Sequence, residues 1–302
     1  MNKVCIVGSM NMDVVLSVKA MPKEGETIFS DEMKMIPGGK GANQAVAAAR
    51  SGAEVIMIAK TGEDANGKKL IDELIKDNIE SKFIFKDRNN PTGTAIITVD
   101  NDANNSIIVV SGSNMTLNKK DIIECEDGIK GSDIVITQFE TPMEAGIEAF
   151  KIAKDNSKIT ILNPAPAKEI KDELLKYTDI IVPNETEVFS LTGIEVHDLE
   201  TAKVAAKELN NKGVKYVIVT LGEKGAALIG DGMAEIIPAF KVEAVDTTAA
   251  GDSFIGGFSS KLDIKNINFE SVKAAILYGN KVSSIAVQRP GAQPSIPYLE
   301  EL

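Results

Sequence analysis

The sequence is poor in residues that carry several common kinds of chemistry. Its 302 residues include one histidine, two cysteines and no tryptophan. His197 lies in the polar stretch GIEVHDLE without an evident catalytic partner, so a Ser-His-Asp mechanism is not favoured and we expect it in a surface loop. Cys5 and Cys125 are far apart and not at metal-ligand spacing. Both are expected to be free thiols in a reducing compartment.

Long hydrophobic runs and an excess of positive charge are also missing. No apolar run approaches the roughly 20 residues of a membrane helix, and the N-terminus MNKVCIVGSMNMD becomes polar too soon for a secretion signal. The net charge of −11 argues against a nucleic-acid surface, which needs a basic patch. We therefore expect a cytoplasmic protein that binds neither membranes nor nucleic acids.

From about residue 130, short apolar runs alternate with helical patterns. The runs begin the stretches DIVITQFE, KITILNPAP, TDIIVPNETE and YVIVTLGEKG. They are continuous rather than alternating, which is typical of parallel strands buried on both faces. Strand–helix alternation of this kind predicts an α/β fold, with a doubly wound and mostly parallel sheet flanked by helices.

The first third of the chain contains segments of a different kind. TAIITVDNDANNSIIVV has two β-branched runs around a polar turn cluster, which predicts a hairpin. Further short runs occur in VVLSVKAM and ETIFSDEMKMI. We expect a small β subdomain formed by about 13–34 and about 83–110, within a single domain that spans 1–302.

Polar side chains follow the ends of the buried strands. They are Asn11, Asp13, Glu140, Asn163, Asn184, Glu187 and Thr220. Each alone could be a helix cap or a turn residue, but parallel α/β sheets bind ligands at this edge. Amides and carboxylates without an aromatic platform suit a neutral polyol, whose hydroxyls pair with them.

The stretch PGGKGANQAV adds a glycine turn before an alanine-rich helix. Gly38 and Gly39 allow the backbone to approach a ligand closely. The stretch is not a Walker A loop, because Gly41 follows Lys40 where serine or threonine is required. A plain glycine turn is the alternative, but Asn43 in the first helical turn is expected to face the crevice.

The stretch VDTTAAGDSFIGGF places a carboxylate at the start of another helix. Ala249, Ala250 and Gly251 leave their N–H groups open to a ligand, and helix N-termini attract anions. Asp252 follows them and is suited to act as a base in phosphoryl transfer, which depends on positioning and charge stabilisation. The alternative is a simple capping aspartate, which would not require the small residues before it.

These motifs together resemble the PfkB carbohydrate kinase family over essentially the whole chain. The motifs are GSMNMD, PGGKGANQAVAAARSGA, NPAPA, PNETE, TLGEKG, VDTTAAGDSF and IAVQRPGAQPS. NPAPA, PNETE and GAQPS are similar to its ribose-phosphorylating branch. The resemblance implies a ribokinase-like fold in which the β subdomain is a lid. It also implies ATP-dependent phosphorylation of D-ribose at the 5-hydroxyl.

The resemblance further implies a role for individual residues. Asp252 would be the catalytic base, with an anion hole at Ala249, Ala250 and Gly251. The sugar would be bound by Asn11, Asp13, Gly39, Lys40, Asn43, Glu140 and Asp252. ATP would be bound by Asn184, Thr220, Gly222, Glu223, Lys224, Gly225, Gly251 and Asn280. The family often has histidine at the last of these positions.

Metal ions and a second subunit are implied in the same way. Glu187 would organise magnesium through water, with the ion bridging the nucleotide phosphates. A monovalent cation, usually potassium, would be bound by Asp246, Thr248, Ala286, Arg289, Gly291 and Ser295. The lid would pair two subunits into a homodimer.

Other activities stay open on the sequence alone. One is a PfkB-family kinase for another sugar or for a nucleoside, such as 2-deoxyribose, fructose or adenosine. A nucleoside kinase would want aromatic residues in the lid, where Phe29, Phe83 and Phe85 are candidates. A sugar-binding protein without catalysis is the remaining alternative, although such a protein would not need both Asp252 and the small residues before it.

Overall fold

The computed structural model describes residues 1–102 and 104–302. Within these residues, nine strands form one sheet and four form a smaller one. In chain order the strands are β1 (Lys3–Val7), β2 (Asn11–Ser17), β3 (Glu32–Gly38), β4 (Glu54–Gly62), β5 (Glu80–Asp87), β6 (Gly93–Val99), β7 (Asn105–Val110), β8 (Ile134–Thr137), β9 (Ile159–Leu162), β10 (Ile180–Ile181), β11 (Tyr216–Thr220), β12 (Ala226–Gly230) and β13 (Met233–Ile237).

The large sheet confirms the predicted α/β fold. Its strand order is β13-β12-β11-β10-β9-β8-β1-β4-β5. All neighbours from β11 to β5 pair in parallel, and β12 and β13 add an antiparallel edge. The carboxyl ends of the parallel strands therefore meet along one edge, which is where such sheets bind ligands.

Helices cover both faces of this sheet. They are α1 (Lys40–Arg50), α2 (Ala65–Lys76), α3 (Lys119–Glu124), α4 (Glu126–Gly131), α5 (Met143–Asp155), α6 (Asp172–Lys176), α7 (Glu185–Thr192), α8 (Leu199–Asn210), α9 (Ala250–Lys261) and α10 (Phe269–Ala286). In β1, Val4 and Ile6 join the core under α1, α9 and α10, while Cys5 and Val7 join the opposite core with α5 and α8. Burial on both faces explains the continuous apolar runs.

Helices α1 and α9 pack side by side at very short range. Gly256 of α9 faces α1, and a Cβ atom at this position would lie 2.4 Å from the Cβ of Ala47. Alanine and glycine at the contact allow the two helix axes to approach closely. The first turns of the two helices thereby come together at the ligand-binding edge of the sheet.

The small sheet contains most of the segments expected to form a lid, but its boundaries differ from those predicted. Its strand order is β3-β2-β6-β7. Strand β5 instead pairs in parallel with β4 at the edge of the large sheet, so the assignment of residues 83–87 to the lid was wrong. The predicted hairpin is formed by β6 and β7. One residue of its turn, Ala103, lies outside the described residues.

The scarce residues lie where the sequence suggested. Cys5 and Cys125 are buried and unpaired, and burial raises the pKa of both thiols, to about 12 for Cys125. The side chain of His197 is 70% exposed beside Glu195. Among residues 1–102 and 104–302, the helices are each too short or too polar to cross a membrane.

Candidate active site

Asp252 lies in the first turn of α9, and its carboxylate is held from α1. Asn43 Nδ2 donates to Asp252 Oδ2 at 3.1 Å, and Gln44 Nε2 donates to Asp252 Oδ1 at 2.9 Å. The aspartate is 7% exposed. Both carboxylate oxygens thus bond to the neighbouring helix, while the capping position of α9 is held by Ala249, which has no side-chain acceptor.

The N-terminus of α9 has no side-chain cap. The residue in the capping position, Ala249, has a left-handed backbone with φ of 58°, which is uncommon outside glycine and costs free energy. Within the described residues, the N–H groups of Ala249, Gly251 and Asp252 have no acceptor. The N–H of Ala250, in contrast, donates to the Thr247 carbonyl at 3.1 Å. Of the three N–H groups expected to form the anion hole, this one is therefore already paired.

The residues that carry the free N–H groups line a cavity of about 190 Å³. A Cβ atom added at Gly251 would have no heavy atom within 4 Å, so this glycine borders open space. The residues around the cavity come from both predicted binding regions. They include Lys40, Asn163, Asn184, Glu187, Thr220 and the turn from Ala249 to Asp252. Unpaired N–H groups at a helix start make this cavity suitable for an anion.

A second group of polar side chains surrounds the start of α1. Glu140 Oε2 accepts from the Lys40 N–H at 3.0 Å and from Ser9 Oγ at 2.5 Å. The carbonyl oxygen of the Asn43 side chain is buried and has no partner among the described residues. Such an atom marks a place where a ligand hydroxyl would complete the hydrogen bonding.

Strand β2 brings two further predicted residues to this group. Asn11 and Asp13 are two positions apart on one strand and so lie on the same face of the small sheet. Gly39 has φ of 90°, and a Cβ atom there would lie 2.7 Å from the Asn11 backbone nitrogen. The sequence analysis missed Asn114, which is 1% exposed and donates from Nδ2 to Asn11 Oδ1 at 2.7 Å.

The carboxylates in this site perturb one another. Burial raises the pKa of Asp13 to about 7, and the negative charges of Glu140 and Asp252 contribute to the rise. No hydrogen bond to the Asp13 carboxylate is present among residues 1–102 and 104–302. Its oxygens are therefore free to accept ligand hydroxyls, and its charge state changes near neutral pH.

Lys40 supplies positive charge between these carboxylates and the cavity. Burial acts to lower its pKa, but nearby negative charges outweigh this effect and the net pKa is raised. Those charges belong to Asp252, Glu140 and Glu187. The lysine is thus held as a cation beside the free N–H groups of α9.

Asn184 and Glu187 form the start of α7. Asn184 Oδ1 accepts from the Glu187 N–H at 2.8 Å, and Glu187 accepts in return from the Asn184 N–H at 2.9 Å. Burial raises the pKa of Glu187, partly offset by the Asn184 N–H and Lys40. Both residues line the cavity, so the structure brings them beside the start of α9.

The predicted nucleotide loop from Thr220 to Gly225 and the predicted nucleotide contact Asn280 both lie against the backbone of residues 237–238. Gly225 has φ of 103°, and a Cβ there would lie 2.1 Å from the Ile237 carbonyl oxygen. Asn280 is buried and donates to the Pro238 carbonyl at 3.0 Å. The loop residues Gly222, Glu223 and Lys224 form a single 3₁₀ turn between β11 and β12.

The residues expected near magnesium fit an indirect role. Among residues 1–102 and 104–302, His, Cys, Asp and Glu side chains do not group in threes at metal-binding distance. Glu187 already accepts from Asn184 with both carboxylate oxygens. A single bonded carboxylate suits a magnesium ion held mainly by phosphates and water.

The residues expected around a monovalent cation would bind it through backbone carbonyl oxygens and the side-chain oxygens of Asp246 and Ser295. They are Asp246, Thr248, Ala286, Arg289, Gly291 and Ser295. Asp246 accepts from the N–H groups of Thr248 and Gly291, both at 2.8 Å, and these bonds lower its pKa despite burial. The carbonyls of Thr248, Arg289 and Gly291 accept no hydrogen bond from the described residues. Such oxygens are suitable ligands for a hard cation.

Several buried polar residues of the site were not predicted as functional. They are Ser9, Gln44, Asn114 and Gln138, while Asn163 was noted only as a strand end. Gln44 had a signal in the sequence, because it is a polar residue in an otherwise alanine-rich helix. Asn114 and Gln138 had none, since they reach the site only through the fold.

Comparisons with known proteins agree with this geometry. The family described as "pfkB family carbohydrate kinase" matches residues 1–299. A ribokinase of Staphylococcus aureus is 44% identical over 100% of this chain and 98% of its own length. A deoxyribokinase of Salmonella typhi is 35% identical over 99% of this chain and 96% of its own.

A solved structure is similar in three dimensions as well. The ribokinase of Arabidopsis thaliana, complexed with ribose and ATP, is 32% identical and superposes with a TM-score of 0.91. The match covers 99% of this chain and 96% of that one. Full-length similarity in sequence and in structure accompanies a helix start that can receive an anion beside a buried carboxylate. The chain therefore belongs to the PfkB family of carbohydrate kinases.

Proposed function

We propose that this kinase transfers the γ-phosphoryl group of ATP to the 5-hydroxyl of D-ribose, with Asp252 as the general base. The observation that carries the proposal is the position of Asp252. Asp252 directly follows Gly251, whose N–H is free. Its carboxylate accepts a hydrogen bond from Asn43, one of the polar residues around the start of α1. The full-length similarity to ribokinases supports ribose as the sugar.

The reaction needs one proton acceptor and stabilisation of negative charge. The sugar hydroxyl passes its proton to Asp252 while its oxygen bonds to the γ-phosphorus. The bond between that phosphorus and the bridging oxygen breaks, and ADP leaves with the electron pair. The free N–H groups of Ala249, Gly251 and Asp252, together with the positive end of α9, stabilise the transferring group. The ammonium of Lys40 supplies a full charge nearby.

The sugar contacts follow from the polar group around the start of α1. Asp13 and Glu140 provide acceptors for ribose hydroxyls, and Asn43 provides both a donor and an acceptor. Asn11 provides its Nδ2 donor, because its oxygen already accepts from Asn114. Gly39 lets the backbone approach the sugar without a side chain between them. A ligand lacking one of these hydroxyls would leave a buried polar atom unpaired, which is costly.

ATP is proposed to lie between α7 and the start of α9. Asn184, Glu187, Thr220 and Gly251 would contact its phosphates, and the loop to Gly225 with Asn280 would hold the remainder. Bound magnesium would neutralise charge on the β- and γ-phosphates. A bound potassium ion at the oxygens around Asp246 would fix the shape of the 246–251 loop.

The kinase for 2-deoxyribose is the second candidate, because deoxyribokinases are 35% identical over almost the whole chain. A nucleoside kinase has less support. Of the three aromatic candidates for the lid, Phe83 and Phe85 lie in β5 of the large sheet instead, and Phe29 is 91% exposed. We also expect the enzyme in the cytoplasm, where ATP is available.

The first test is a substrate panel. Phosphorylation of ribose, 2-deoxyribose, fructose, adenosine and fructose 6-phosphate would be measured with ATP and magnesium, with and without potassium. We expect ribose to have the highest kcat/KM and potassium to raise it.

Asp252→Asn should bind ribose but lose about 10³-fold in kcat. Preference for 2-deoxyribose would favour the second candidate, and turnover by Asp252→Asn near the wild-type value would remove the proposed base.

The free N–H of Gly251 allows a test of the phosphoryl site. Gly251→Ala adds a methyl group to open space, so Tm should stay the same or rise because alanine is the better helix former. The methyl group should occupy room needed by the phosphoryl group and lower kcat/KM for ATP about 10²-fold. Gly256→Ala in the same helix is the control, since its clash with Ala47 should lower Tm. Normal turnover by Gly251→Ala would contradict the site.

The raised pKa of Asp13 predicts a pH-dependent affinity for ribose. If the ionised carboxylate accepts the sugar hydroxyls, KM for ribose should rise as the pH falls below about 7. The same pKa has a consequence for stability. An ordinary aspartate titrates near ~4, so the folded state favours the neutral form, and this stabilisation is lost as the pH rises through 7.

Asp13→Asn should therefore separate binding from stability. We expect weaker ribose binding at every pH, and a Tm that exceeds the wild-type value at pH 8 by more than at pH 5. Asp31→Asn, at an exposed position near the lid, is the control and should change neither property. An Asp13→Asn Tm difference independent of pH would show that Asp13 does not titrate as inferred.

A homodimer formed through the lid is supported by exposed apolar residues on the small sheet. Met33, Ile107 and Ile108 are 62%, 55% and 65% exposed, and β7 is an edge strand. We expect a dimer in analytical ultracentrifugation at micromolar concentration, and Ile108→Lys should shift it toward the monomer. Val204→Lys, at a 56% exposed position on α8, should not. A wild-type monomer would overturn this assembly.

A further inference from the structure

Three neutral amide side chains form a hydrogen-bonded group with Asp252. Gln44 is fully buried in α1, Gln138 is 1% exposed after β8, and Asn163 is 7% exposed after β9. Burying amide groups is costly unless each finds hydrogen-bond partners. Their burial beside the carboxylate therefore calls for an account in terms of the bonds they make.

Gln44 is the centre of this group. Its Nε2 donates to Asp252 Oδ1 at 2.9 Å and to Asn163 Oδ1 at 3.1 Å. Its Oε1 accepts from Gln138 Nε2 at 2.7 Å. Both amide hydrogens of Gln44 are thus used, and its side chain is held at three points.

The direction of these bonds is fixed by a backbone carbonyl. Asn163 Nδ2 donates to the Val182 carbonyl at 3.2 Å, and a carbonyl can only accept. Asn163 must therefore turn its own oxygen toward Gln44. Gln44 must in turn present its nitrogen to Asn163, and the second hydrogen of that nitrogen points to Asp252.

Gln138 packs closely against Gly8, and its Oε1 is buried without a hydrogen-bond partner among the described residues. A Cβ atom at Gly8 would lie 2.2 Å from Gln138 Oε1 and 2.8 Å from the Gly41 Cα. The glycine after β1 thus makes room for the Gln138 amide beside the start of α1. The amide that orients Gln44 is consequently part of the packed junction between β1, β8 and α1.

We propose that Gln44 is a positioning residue for the base: it holds Asp252 Oδ1 and leaves Oδ2 to take the proton. Oδ1 is bonded to a fully buried amide, whereas Oδ2 is bonded to Asn43, whose own oxygen lacks a partner and which we assign to the sugar. Fixing one oxygen sets the direction of the other. The inference rests on the proposed function, because it requires Asp252 to be the base.

The test replaces Gln44 by isosteric glutamate, Gln44→Glu. This change removes the donor and puts a second carboxylate beside Asp252, so the pair would share a proton. Lys40, Asp13 and Glu187 also act on Asp252 and stay unchanged. We expect kcat at pH 7 to fall about 10²-fold, with partial recovery as the pH is raised. KM for ATP should change less than threefold.

Asn2→Asp is the matched control. Asn2 is a buried amide that donates to the Ser259 and Leu262 carbonyls at the other end of α9. Its replacement makes the same chemical change in the same helix packing, so it should lower Tm without altering the pH dependence of kcat. If Gln44→Glu does not fold, Gln44→Met removes the donor without adding charge. It should lower kcat at least tenfold, with ribose binding by calorimetry within threefold of wild type.

The outcomes separate this inference from the proposed function. Wild-type kcat and pH profile in Gln44→Glu, or in Gln44→Met if the first variant is unfolded, would overturn the positioning role while Asp252→Asn stays inactive. Full turnover by Asp252→Asn would overturn both. The role of Gln44 acts through the base rather than through the sugar. The same losses should therefore appear with whichever sugar the wild-type enzyme phosphorylates.

Discussion

The close contact between α1 and α9 is the constraint on which the rest of the site depends. Gly256 and Ala47 let the two helices approach until a single added carbon would clash. At that separation, short amide side chains of α1 can reach the Asp252 carboxylate at the start of α9. One helix thus supplies the reactive group, and the other fixes its direction.

Helix α9 begins without a side-chain cap because Ala249, in the capping position, has no side-chain acceptor. Asp252, in the first turn, bonds with both oxygens to α1 rather than to its own helix. The N–H groups of Gly251 and Asp252 are left unpaired, and the left-handed backbone of Ala249 turns the loop so that the cavity lies before them. A site for an anion therefore results from removing the usual capping partner.

Much of this arrangement could be predicted from the sequence, because it depends on local patterns. Continuous apolar runs predict parallel strands, and polar residues at their ends predict the edge that binds ligands. Small residues before Asp252 indicate an open helix start. The lid boundary was wrong because the choice of partner strand is decided by tertiary packing. Phe83 in β5 packs against Gly128 of α4, which ties an otherwise lid-like segment to the large sheet.

The amides bonded around Asp252 could not be predicted for a related reason. Gln44 and Gln138 are separated by 94 positions, and Gln138 bonds to Gln44 only because β8 lies beside β1. The choice of neutral donors there is physically sensible. A buried cation in place of Gln44 would carry its own desolvation cost and would neutralise the carboxylate that must accept a proton. Neutral amides orient Asp252 without compensating its charge, so the positive charge of Lys40 stays available on the side of the cavity where phosphate is expected to bind.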